Sequence, residues 1–148
     1  MCTSYVNQYS FSQNSTTSLA PSTVKIKNLT IHVDLAVTQD QQEKGLSVKD
    51  TMTDNEGMLF PFKTPGDYSF WMKDMKFPLD ILWVNSSSQI HHIEKNLQPC
   101  TFILFCPSVS PGTHSNSTYV LEVNADYTSK HNINVGDKVN INVVNSTS

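Results

Sequence analysis

The sequence predicts a mainly β, single-domain fold: an antiparallel β-sandwich or partly open barrel with two short helices. Three observations carry that expectation. Short segments alternate apolar and polar residues with a period of two from Val24 onward, Gly, Pro, Asn and Asp punctuate them at short intervals, and helical periodicity surfaces only twice and briefly. A chain of 148 residues holds one domain of ordinary size and a tail.

Taken in order, residues 1–23 are poor in aliphatic side chains and rich in Ser, Thr, Asn and Gln, and they read as a flexible polar tether. One β-rich domain is expected over residues 24–145, with 146–148 as a C-terminal tail. In TVKIKNLTIHVDLAVT the apolar residues are Val24, Ile26, Leu29, Ile31, Val33, Leu35 and Val37, and Lys27–Asn28 can turn the first strand into the second. QDQQEKGL follows as a short helix, with Thr38 as N-cap and Gly45 near its end. GMLF, YSFWMK, LDILWV and QIHHIEK are further strands separated by turn residues. After a loop bounded by cysteines come STYVLEVN, a short helical ADYTSKHN, and a last strand KVNINVV entered through Asn134-Val135-Gly136-Asp137. No internal repeat is visible.

Composition excludes several function classes. The net charge is −3 and all 10 basic residues are Lys, so neither an electrostatic footprint for nucleic acid nor bidentate guanidinium recognition of phosphate exists. No apolar run is long enough to span a bilayer. No phosphate loop, elbow-type nucleophile or metal quartet is recognisable, and neither a cofactor nor a metal is expected. His91 and His92 are adjacent and face opposite sides of a strand, while His32 and Asp34 share a face only as any pair two apart does. Cys106 with His114 and a methionine lacks the spacing of a copper carrier.

Cys100 and Cys106 flank a five-residue segment bounded by Pro99 and Pro107, a spacing that can close a disulfide loop and so points to an oxidising compartment. The alternative is a pair of unpaired thiols. Cys2, directly after Met1 and ahead of a Ser/Thr-rich tract, is either a lipid-anchor cysteine or a stray thiol in a tail. Sequons at Asn14, Asn28, Asn85, Asn116 and Asn145 fall in tail or turn segments and suit N-glycosylation. Together these features favour an exported protein, extracellular or held at the cell surface.

EKGLSVKDTMTDNEGMLFPF, SFWMKDMKFPLDILWVN, QPC with a nearby second Cys, YVLEVNAD and INVGDKV occur in that order. In these segments the chain resembles domain-of-unknown-function family 192, and GMLF followed by FWMK and PLDI is the most specific part. The resemblance implies a small, jelly-roll-like β domain, often exported, and no established activity. It covers residues 24–144. The family usually has Arg at the positions of Lys44 and Lys49, Met at that of Ser47, and Asn-Thr at those of Asp74-Met75. A family site at these positions would have altered chemistry here, and the two changes to Lys44 and Lys49 would keep the charge while losing the guanidinium fork.

Lys73, Asp80 and Glu122 are each embedded in apolar strand sequence, where a charge must pair, neutralise or reach a pocket. One reading is a cleft in which Lys73 and a carboxylate, with Trp71 and Met58, hold a polar ligand, Trp71 serving as a stacking platform. A second is an extracellular enzyme in which Asp80 and Glu122 share acid–base work beside Lys73. The blander account is strand alternation, which puts such residues on a solvated face or in an ion pair. The segment Phe102-Ile103-Leu104-Phe105 is either a lid folded onto the barrel, the favoured reading, or an exposed finger that docks a partner or lipid surface. The expected function is a non-catalytic module binding a small molecule, glycan or protein. A structural subunit that self-associates through its N-terminal arm is the remaining alternative.

Overall fold

The computed structural model describes residues 21–144. Most of the tether, Cys2, Asn14, Asn145 and the C-terminal tail therefore lie outside the described residues. The elements are β1 (Thr23–Ile26), β2 (Leu29–Leu35), α1 (Gln39–Lys44), β3 (Glu56–Gly66), β4 (Phe70–Trp71), β5 (Leu79–Asn85), β6 (Ile90–Leu97), β7 (Ser108–Val109), β8 (Ser117–Asn124), α2 (Tyr127–Lys130) and β9 (Val139–Asn142). Two short 3-10 turns, Gly45–Val48 and Ile103–Phe105, complete the list.

Seven strands form one sheet in the order β6-β5-β8-β3-β2-β1-β9, and β4 pairs with β7 in a separate two-stranded ribbon. The large sheet curls until its outer strands approach at one end. Gln89, just before β6, bridges Lys138, just before β9, and the Ile90 N–H donates to the Asp137 carbonyl at 3.0 Å. The result is a half-barrel with two short helices, and its second sheet is only a ribbon. One pairing departs from the antiparallel expectation: β2 and β3 run parallel, His32 opposite Glu56 and Leu35 opposite Leu59. The reason is the connection. Residues 36–55 hold α1 and a 3-10 turn and act as a crossover, which returns the chain in its starting direction, as a tight hairpin does not.

Local chemistry sets the ends of α1. The Thr38 hydroxyl accepts from the Gln41 N–H while the Gln41 side chain accepts from the Thr38 N–H, a reciprocal capping box. Gly45 closes the helix at φ 49°, a left-handed value that glycine adopts without steric cost.

Both faces of the sheet are buried. One packs Val24, Ile26, Leu59, Leu82 and Leu121 against Tyr127 of α2 and Ile133. The other packs Phe60, Leu79, Ile81, Trp83 and Val120 against Leu46, Met72 and Met75 from the segments that cover it. Strand β5 is therefore buried along nearly its whole length, and apart from Asp80 the segment LDILWV is apolar throughout rather than alternating. Gly57 of the GMLF segment sits where a Cβ would lie 2.6 Å from the Glu122 carbonyl oxygen, so only glycine lets β3 and β8 approach this closely.

Candidate functional site

The ribbon strand β4 is pinned by aromatic packing. Phe70 meets Phe60 edge-on at 4.9 Å and Trp83 at 5.9 Å between centroids, and the Trp83 indole N–H donates to the Tyr68 carbonyl at 2.8 Å. With Phe70 turned inward, strand alternation turns Trp71 outward and Met72 back into the core. Trp71 is 44% exposed and Met72 is buried. Lys73 lays its ammonium 5.2 Å from the Trp71 ring centroid, within cation–π range, and 3.8 Å from the Asp74 carboxylate.

Trp71 and Lys73 form one wall of a cleft of about 500 Å³, with Asp40, Glu43 and Lys44 of α1, Ser47 and Asp74 around it. Past Trp71 and Glu43 the cleft continues into a depression of about 280 Å³ lined by Gln39, Gln42, Phe62, Tyr68, Ser69 and Phe70. Stacking of Phe62 on Tyr68 at 3.5 Å stiffens that end. Two of the charge pairs along the groove are internal to it: Lys44 pairs with Asp40 at 2.9 Å and Lys73 faces Asp74, while Glu43 keeps its charge and accepts from the neutral Gln39 amide at 2.9 Å. The outcome is an aromatic platform with a polar rim that carries both signs of charge.

The two carboxylates expected to work together are on opposite faces of the sheet. Asp80 is opposite Val123 and Glu122 is opposite Ile81, so a shared acid–base pair does not form. Asp80 is fully buried and its oxygens accept from the Asn96 N–H at 2.9 Å, the Asp126 N–H at 3.2 Å, the Thr128 N–H at 2.9 Å and the Thr128 hydroxyl at 2.6 Å. Asn96 and Asp126 both have positive φ, 51° and 66°, and the carboxylate holds these two bent segments against β5. Asp80 is a structural clamp, remote from the cleft.

Glu122 lies on the cleft's side of the sheet but beneath it. It is buried, stands opposite Met58 across β3 and β8, and has its Oε2 3.5 Å from the position of a Cβ on Gly45. Gly45 is flanked by Lys44, which lines the cleft, and by the buried Leu46. Oε2 has no hydrogen-bond partner. Burial pushes the Glu122 carboxyl up to about 8, opposed only by the Leu46 N–H, so it is protonated at neutral pH. Met58 is buried in the same cluster and does not line the cleft. Of the five residues expected to share a cleft, Trp71 and Lys73 line it, Glu122 and Met58 underlie it, and Asp80 is elsewhere. Asp40, Glu43 and Lys44 are additions that α1 supplies; the spacings of three and four residues from Asp40 to Glu43 and Lys44, which share one helical face, are the available signal.

Cys100 and Cys106 are joined by a disulfide. The loop between them is not a lid. Phe102, Leu104 and Phe105 are 74%, 87% and 80% exposed, because so short a closed loop cannot fold back to the core. Of the sequons within the described residues, Asn28 is exposed in a turn and Asn116 is exposed just before β8, whereas the Asn85 side chain accepts from the Ser87 and Gln89 N–H groups at 3.0 and 3.1 Å. His92 packs on Trp83 while His91 meets the Ser117 hydroxyl at 2.9 Å, so the neighbouring imidazoles point apart. Among the described residues no three His, Cys, Asp or Glu side chains converge as metal ligands do, and no helix is long and apolar enough to cross a membrane.

The half-barrel with its crossover helix defines a class of small β domain, and solved structures share it. A "putative transcription regulator" from Sinorhizobium meliloti 1021 is 28% identical with a TM-score of 0.73, the match covering 84% of this chain and 95% of that one. A protein of unknown function from Novosphingobium aromaticivorans DSM 12444 is 29% identical with a TM-score of 0.71, covering 82% of this chain and 84% of that one. The chain belongs to domain-of-unknown-function family 192, described as Uncharacterized ACR, whose model matches residues 22–141. No curated protein shows significant similarity to it.

Proposed function

We propose that this protein is an exported, non-catalytic binding module whose groove between α1 and β4 holds a neutral, hydroxyl-rich ligand such as a glycan. The observation that carries the reading is the exposed Trp71 ring with Lys73 beside it, set in a cleft where Lys44 is paired with Asp40 and Lys73 faces Asp74. A sugar offers an apolar face to the indole and hydroxyls to Asp40, Glu43, Ser47 and Asp74, and it needs no net charge in the site. Highly charged ligands fit less well, since the groove presents both signs at close range. Asp80 and Glu122 lie on opposite faces of the sheet, which favours binding over acid–base catalysis by that pair. Export is supported by the Cys100–Cys106 disulfide.

The regulator from Sinorhizobium suggests a nucleic-acid reading that this chain supports poorly. Its lysine-lined depression, about 740 Å³ between Lys25, Lys27 and Lys138, has Lys27 paired with Asp137 at 3.3 Å, in a protein with a net charge of −3.

Tryptophan fluorescence tests the glycan reading directly, because Trp83 is fully buried and Trp71 is not. Titration of the full chain with a panel of neutral mono- and disaccharides should shift the emission of Trp71 alone. Trp71→Ala should abolish the response with the melting temperature preserved, and Lys73→Ala should weaken binding several-fold. A chain that responds to no member of the panel, or responds equally without Trp71, overturns it.

A further inference from the structure

We infer that the disulfide-closed loop 100–106 is a membrane-docking finger that inserts its apolar tip into the interface of a lipid bilayer. This goes beyond the groove and its ligand: the apolar tip is made of residues outside the groove, and only the collar behind it, Trp71 and Lys73, is shared. Phe102, Leu104 and Phe105 project from one short loop, all largely exposed, and the Cys100–Cys106 bond ties the two legs together at the base. Exposed apolar residues scattered singly need no explanation, but three neighbouring bulky ones on a braced tip do.

Size and charge select the occupant. Two phenylalanines and a leucine at this exposure offer roughly 500 Å², well short of the ~800 Å² that each partner gives a stable protein interface. A second copy of the chain, or a protein docking on this tip alone, is therefore poorly matched. Residues 99–109 contain no charged side chain, so the tip lacks the polar and charged rim that gives protein interfaces their specificity. Within the loop only the Thr101 hydroxyl and the backbone of a single turn resist entry into hydrocarbon. Behind the tip stands a collar suited to the headgroup layer. Lys73 bridges Cys100, and Trp71 is opposite Ser108 in the β4–β7 ribbon. Trp and Lys are the side chains that settle at a membrane interface, ring against the acyl boundary and ammonium toward water. With no cluster of basic residues near the tip, the attraction is apolar and does not require anionic lipid.

Flotation with pure phosphatidylcholine vesicles tests the inference on the full chain, produced without lipid modification and with no sugar present. The chain should float with the vesicles equally well at low and high salt. The combined substitution Phe102→Ser, Leu104→Ser and Phe105→Ser should lower the partition coefficient by roughly a hundredfold with the melting temperature unchanged, since these side chains touch little of the core. Leu104→Ser alone should give an intermediate loss and guards against misfolding of the triple variant. Absence of flotation, flotation that survives the triple substitution, or flotation abolished by salt overturns the inference. So does a dimer in sedimentation velocity that the triple substitution dissolves, which would make a second copy the occupant. Failure here leaves the groove's response to sugars unaffected, and the reverse also holds.

Discussion

Glu122→Gln should convert a pH-dependent stability into a flat one. In the folded protein the carboxyl holds its proton up to about 8, against 4.5 when the chain is unfolded. Below pH 4.5 both states carry the proton and the group has no net effect. As pH rises from 4.5 to 8 the unfolded chain has released its proton and the folded one has not, so stability falls by ~1.4 kcal/mol per pH unit. Above 8 the full penalty is present, about 5 kcal/mol, which is comparable to the entire stability of many domains. His91 acts in the opposite sense: burial lowers it, so it removes stability as pH falls through the ordinary imidazole range. The exposed carboxylates Asp50, Asp54 and Asp67 are held low by Lys76, Lys130 and Ser115 and titrate well below neutrality. The interval from pH 6.5 to 8.5 is the cleanest window for Glu122, and across it the wild type should lose about 2 kcal/mol, roughly 8 °C in melting temperature for a domain of this size. The glutamine amide keeps the shape of a protonated carboxyl and is neutral throughout, so the variant should hold its midpoint and exceed the wild type at the alkaline end. Urea unfolding and thermal melts at half-unit steps measure both. A wild-type curve that is flat over this window, or a variant that falls in parallel with it, would refute the assignment of a buried, protonated Glu122.

Two further changes probe the scaffold. Gly57→Ala forces a methyl group to within 2.6 Å of the Glu122 carbonyl and should cost about 2 kcal/mol or more by urea denaturation, through separation of β3 from β8. Asp80→Ala leaves the N–H groups of Asn96, Asp126 and Thr128 unanswered and should cost at least about 3 kcal/mol, whereas Thr128→Val removes one hydroxyl bond and should cost about 1 to 2 kcal/mol. Hydrogen exchange should place the loss from Asp80→Ala at the bend of β6 and the start of α2. An even loosening of the whole domain would count against the clamp.

Much of the fold was legible because local rules coincide with it. Alternation from Val24 to Leu35 marks two strands, Lys27 takes the positive φ that turns one into the other, and Thr38 caps α1. Outward placement of Trp71 follows from the alternation of FWMK once Phe70 is known to be core. What the sequence hides is the relative register of strands far apart in the chain. Asp80 and Glu122 each sit on a definite face of their own strand, but whether those faces coincide depends on Asp80 meeting Val123 rather than Glu122, and no local signal encodes that parity. The parallel pairing of β2 with β3 is concealed for a similar reason, since it depends on where a crossover lands. Four apolar residues in succession argued for burial at 102–105, yet the disulfide on either side leaves too little chain to return to the core. The groove was half visible: its β4 wall is a motif, while its α1 wall reads as an ordinary solvated helix.

The pairing of β1 with β9 sets Thr23 opposite Asn142, and the Val144 N–H donates to the Ser22 hydroxyl at 3.0 Å. The two ends of the described chain are thus stitched to one another. Every other ladder of the sheet can form before β9 joins, but β1 keeps one edge unsatisfied until that strand arrives. That closure also spans the longest loop the domain contains, the kind of step that sets folding rates by topology rather than by stability. Until β9 docks on β1 the half-barrel stands ajar, and that strand acts as the latch.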